Sequence, residues 1–197
     1  MNLRYCCLWI AVAFVCGCGR EERTEAVRFC KVLMRQRADF ASVNAIENDF
    51  LAGTRSWCGT ITTGGSGRGD QLARLADEAR DLAKSATLIS AQLGRVRQAV
   101  YDEQLNKDYP QSIRGTLTRQ LIERQRFLQE MRALLEESAP VFLELRQKRD
   151  YTGDTYPGGI GKLNEILQIY KGPVDILAQA ITALRTKYSI KDAELGT

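Results

Sequence analysis

The sequence predicts an all-α fold, an elongated four-helix bundle with coiled-coil-like heptad seams, kinked at Pro140 and Pro173. Three observations carry this prediction. Apolar residues recur at alternating spacings of three and four over long stretches, which places them on one face of an α-helix. Glycine-rich segments separate these stretches, one before Asp70 and one over Asp150 to Gly161. No alternating strand pattern bounded by turns occurs, apart from the short Thr60-Ile61-Thr62-Thr63.

The first helix is expected over 21–50, on Ala26, Phe29, Leu33, Phe40, Val43 and Phe50; its seam is the weakest because Gln36 and Glu47 fall on it. Residues 53–69 read as a linker, long enough to cross to either end of a bundle, so the helix order stays open. The second helix, 70–106, is capped by Asp70 and carries an unbroken seam from Leu72 and Leu75 through Leu82, Ile89 and Val96 to Val100. The third, 109–149, starts with Asp108 as cap, Pro110 in the first turn and Gln111 at the third position of a capping box. Its seam, Leu117 to Leu145, includes the polar Arg124 and Ser138, and Pro140 imposes a kink. The fourth, 160–189, keeps its apolar phase from Leu163 to Tyr188 straight through Gly172-Pro173, which predicts a kinked helix and not two helices. Such lengths give helices on the order of 50 Å. The heptads also permit a coiled-coil dimer, hence a homo-oligomer.

Composition narrows the chemistry. The chain is 44% hydrophobic and 26% charged, with 28 Lys plus Arg, 24 Asp plus Glu and no histidine. Residues 18–197 make one globular domain with enough apolar material for a core. Without His there is no Ser-His or Cys-His catalysis, no His-ligated zinc and no Glu-x-x-His di-iron motif, so neither a metal nor a cofactor is expected, and an enzyme is not. A formal net charge of +4 is too mild for a nucleic-acid binder.

Residues 1–17 read as an export signal: Arg4, an apolar run from Leu8 to Val15 too short for the roughly 20 residues of a membrane span, then small residues. Val15-Cys16-Gly17-Cys18 resembles the lipobox of bacterial lipoproteins, departing from it at Cys16, where a smaller residue is usual. The resemblance implies cleavage before Cys18, acylation of that thiol and a membrane partner through the lipid. Gly19 in the next position implies the outer membrane, facing the periplasm. Cys30 and Cys58 then remain as an even pair in an oxidising compartment, and a disulfide between them is expected. It requires the chain to double back almost straight after Phe50, or the helix to end earlier, since eight extended residues reach about 28 Å and a disulfide spans about 5.5 Å.

Other features are weighed against plainer readings. Thr63-Gly64-Gly65-Ser66-Gly67-Arg68-Gly69-Asp70 could cradle a phosphate at a helix start, but lacks P-loop spacing and a preceding strand; a flexible linker is the better reading. Basic residues gather on the third helix, with Arg119 and Arg126 as a candidate binding face, although interleaved glutamates can pair with many of them. Trp57, Tyr151 and Tyr156 stand in expected loops, where Trp57 either anchors a contact or covers the bundle end. Gln36, Glu47, Arg124 and Ser138 sit where the seams should be apolar. Either Glu47 and Arg124 pair inside the bundle, or these positions mark a face left for a partner. The whole suggests an exported, lipid-anchored bundle that acts by binding, as an envelope adaptor, assembly or structural factor with a protein partner. A binder of anionic lipid head groups or a small envelope ligand is the alternative.

Overall fold

The computed structural model describes residues 3–63, 69–148 and 159–196, with side chains over 19–61, 70–148 and 159–196. The described residues form an all-α helical bundle, with six helices and no strand. They are α1 (Leu3–Thr63), α2 (Gly69–Tyr101), α3 (Asp108–Lys148), α4 (Gly159–Ile169), α5 (Ile176–Tyr188) and the single turn α6 (Asp192–Leu195). Among them no helix is long and apolar enough to cross a membrane. Cys18 with its expected acylation, the glycines within 64–68, Tyr151 and Tyr156 lie outside the described side chains.

The chain divides into two compact units. Unit 1 comprises Met1–Ala38, Arg97–Gln120 and Asp175–Thr197, and unit 2 comprises Asp39–Val96 and Leu121–Val174. Unit 2 is a four-helix arrangement of α1, α2, α3 and α4. Its core holds Phe40, Leu51, Ile61, Ile89, Leu93, Leu121, Leu128, Met131 and Phe142, each fully buried or nearly so. Unit 1 packs Phe29, Cys30 and Leu33 of α1, Leu117 of α3 and Leu177 and Leu184 of α5 into a second core. The seams expected on α2 and α3 are the buried faces: of the second, only Leu82 is half-exposed.

Four expectations are corrected. α1 does not stop at Phe50 but continues to Thr63, so most of the expected linker is helix. Gly53 lies inside it where α1 meets α2: a Cβ there would come within 3.2 Å of a Leu82 methyl. Glycine here serves close helix approach and not a break. In consequence the Cys30–Cys58 disulfide does not form, and both are buried thiols. They lie on one unbroken helix, whose rise of about 1.5 Å per residue separates them far beyond the roughly 5.5 Å that a disulfide bridges.

The expected fourth helix is two. α4 ends at Ile169 and α5 starts at Ile176, because Gly172 takes φ +110° and Pro173 has no N–H to continue the ladder. Asp175 caps α5, its carboxylate accepting the Ala178 N–H at 3.0 Å. Val174, in phase with the seam, is 52% exposed because no helix carries it. By contrast α3 passes through Pro140 without interruption.

The α2–α3 connection also differs. Gln111 donates its side-chain amide to the Leu105 carbonyl at 2.6 Å. The backbone N–H groups ahead of α3 are taken from another helix: the Glu25 carboxylate accepts Asn106 N–H at 2.9 Å and Lys107 N–H at 2.8 Å. A carboxylate placed there also meets the positive end of the α3 dipole.

Candidate functional site

The polar residues predicted on the seams come together inside unit 2. Glu47 on α1 is completely buried and Arg124 on α3 is 6% exposed. Helical phase brings them there: Glu47 lies one seam step after Phe40 and Val43, Arg124 between Leu121 and Leu128. Arg124 Nη2 donates to one Glu47 carboxylate oxygen and, at 2.8 Å, to Asn44 Oδ1. The Tyr170 hydroxyl donates to the other Glu47 oxygen. One carboxylate thus joins α1 to α3 and to the residue that follows α4.

The surroundings are aromatic. The Arg124 guanidinium carbon lies 5.0 Å from the centre of the Phe40 ring, a cation–π distance. Tyr170 stacks on Phe127 at 5.1 Å with 27° between the planes. Past it, a Cβ on Gly172 would stand 3.5 Å from Asn48 Oδ1 and 3.8 Å from a Leu51 methyl, so the turn after Tyr170 packs closely on α1. Burial, and behind it the Glu47 charge, raises the Tyr170 phenol well above its ordinary value, so it stays a hydrogen-bond donor. Nε and Nη1 of Arg124 have no hydrogen-bond partner among the described residues.

Chemically this is an ion pair completed by a neutral donor: both Glu47 oxygens are engaged, while Arg124 bonds through Nη2 alone. A buried pair of this kind fixes which residues face each other more reliably than it adds stability. Of the two readings held open for the polar seam positions, the internal Glu47–Arg124 pair is present. Ser138 is buried and bonds the Leu134 carbonyl at 2.7 Å, while Gln36, in unit 1, is half-buried. No signal in the sequence pointed to Tyr170, whose seam position is that of an ordinary core residue.

Trp57 is not a loop aromatic. It sits within α1, 2% exposed, with its ring edge-on to Phe142 at 5.8 Å and its N–H donated to the Leu75 carbonyl at 3.0 Å. Its burial takes it out of the expected binding face. Arg119 and Arg126 are exposed on α3 and make no ion pair with any described residue. Other basic groups on that helix are engaged: Arg132 with Glu136 at 3.6 Å, Arg146 with Asp70 at 3.9 Å, and Lys148 with Glu144.

An open groove runs between α1 and α2 in unit 2, with a volume of about 1040 Å³. Ser56 and Thr60 line one side, and Asp70, Arg74, Glu78 and Asp81 the other, so its rim is mainly acidic. Among the described residues no group of three or more Cys, Asp or Glu is arranged to hold a metal ion. Compared with protein-family models, with curated proteins and with solved structures, the chain matches none.

Proposed function

We propose that the protein is an exported, lipid-anchored helical bundle that acts by binding, as an adaptor, assembly or structural factor of the cell envelope, held at the outer membrane and facing the periplasm. The observation that carries this reading is the apolar run Leu8 to Val15 leading into Val15-Cys16-Gly17-Cys18, an arrangement suited to cleavage before Cys18 and acylation of its thiol. An acyl chain confines the protein to a surface, and a second chain or contact makes that attachment durable. A binding role is supported by the way the polar groups of unit 2 are used: the buried ones hold helices to each other, and the α1–α2 groove offers an acidic surface to a cationic partner. The alternative, recognition of anionic lipid head groups by α3, has less support, because several of its basic residues already face carboxylates.

Cys18→Ser tests the anchor. The variant is expected to lose the acyl mass and to move from the membrane to the soluble fraction; an unchanged distribution contradicts the reading. For the binding role, Glu78→Lys with Asp81→Lys is expected to abolish a cross-linked partner while leaving the melting temperature nearly unchanged. Both side chains are exposed, and surface substitutions of this kind shift stability by about 0.5 kcal/mol or less.

A further inference from the structure

Resting on the lipid-anchored reading, we propose that the anchored protein has no flexible tether, so that one end of unit 1 lies directly against the lipid head groups. Only Gly19 and Arg20 separate Cys18 from Glu21, and all of them lie within α1. From Glu21 onward the helix is fastened to its neighbours. Lys107 Nζ meets Glu21 at 2.8 Å, and Glu25 holds the backbone of Asn106 and Lys107. Arg23 donates to the Tyr188 carbonyl at 3.1 Å and pairs with Glu194 of α6 at 2.8 Å. Arg28 pairs with Glu103 at 2.6 Å. The 102–107 connection and the segment that carries α6 are thereby tied to the first turns after the acylated position.

Even fully extended, the chain from Cys18 to Glu21 reaches only about 11 Å, and as helix about 5 Å. A flexible spacer of ten residues spans roughly 17 Å on average. The acyl-bearing residue therefore brings the 102–107 connection and α6 to head-group depth. The charges there are mixed: Arg20, Lys107 and Lys191 stand beside Glu21, Asp192 and Glu194. Contact is thus imposed by the covalent attachment and not by attraction to anionic lipid, which makes it insensitive to salt.

The test uses protein purified from the membrane fraction, with intact mass confirming that it begins at acylated Cys18. Ala193→Cys, exposed on α6, carries a fluorophore attached under native conditions, where Cys30 and Cys58 are buried. The protein is reconstituted in phosphatidylcholine–phosphatidylglycerol vesicles containing a head-group spin-labelled quencher lipid. Strong quenching is expected, unchanged in about 0.5 M salt, where the Debye length falls to roughly 4 Å. A glycine-serine insert of about ten residues between Gly19 and Arg20 is expected to cut it severalfold. Correct acylation with weak quenching, or with quenching that the insert leaves unaltered, overturns this proposal alone. A mass without acyl chains overturns the anchor reading and this proposal with it.

Discussion

Glu47 is the most enclosed charged residue of unit 2, at 0% exposure. Both its carboxylate oxygens are engaged, by Arg124 and by Tyr170, and it is completely enclosed. Glu47→Gln leaves the Arg124 guanidinium charged and buried without its counter-ion, and is expected to cost about 3–5 kcal/mol in urea denaturation. Tyr170→Phe removes one hydrogen bond to a charged acceptor and is expected to cost about 1.5–3 kcal/mol. Replacing Glu47 and Arg124 together, by Leu and Met, is expected to be milder than Glu47→Gln, since no charge is stranded. A double replacement as costly as the sum of its parts would show that the two residues do not act as a pair. Alkaline pH probes the same site. The phenol of Tyr170 is raised above its ordinary value, so the unfolded chain ionises first; the stability it contributes is complete below about pH 10 and is lost as pH rises beyond it. Tyr170→Phe should therefore flatten the fall of stability above that pH, with a remainder from Tyr188, which burial raises in the same direction. The pair was one of two readings open from the sequence, because charged residues at otherwise apolar seam positions either pair with each other or mark a face left for a partner. Tyr170 was not, since a tyrosine on a seam reads as core and its hydroxyl reveals no partner until the turn at Gly172 places it.

Among the elements, the seams of α2 and α3 could be read position by position, whereas the ends of α1 and α4 could not. The reason is that Gly53 and Gly172 look alike in sequence and do opposite things. Gly53 keeps helical geometry and lets α1 approach Leu82, while Gly172 adopts φ +110° and ends a helix. The continuing steps Phe50, Thr54, Trp57 and Ile61 were the signal for the longer α1, masked by a threonine and two glycines. Substitution separates the two glycines. Gly172→Ala is expected to cost about 1–3 kcal/mol through backbone strain. Gly53→Ala is expected to be near neutral, because a helical gain of up to about 1 kcal/mol offsets the displacement of a half-exposed Leu82 methyl. Thermal unfolding of both variants checks this, and equal losses would contradict it. The disulfide expectation failed with the helix end on which it rested.

The whole molecule combines two compact all-α units with a proposed lipid anchor at Cys18. Fold class came through because apolar periodicity reports burial directly, and burial is what the bundle provides. Function did not, because binding surfaces on helices have no comparable period. The cysteines connect the fold to the anchor. Burial pushes the Cys58 thiol up to about 11 and raises that of Cys30, against which Arg185 acts in part, so neither presents much thiolate near neutral pH. Both should resist alkylation in the folded protein and react on unfolding without any reductant. The lipid anchor is tested by an intact mass on protein from the producing cell's membrane fraction, alkylated in denaturant before reduction. The expected result is a chain beginning at Cys18 and carrying acyl groups, with alkylation at both Cys30 and Cys58. A chain beginning at Met1 without acyl groups would contradict it.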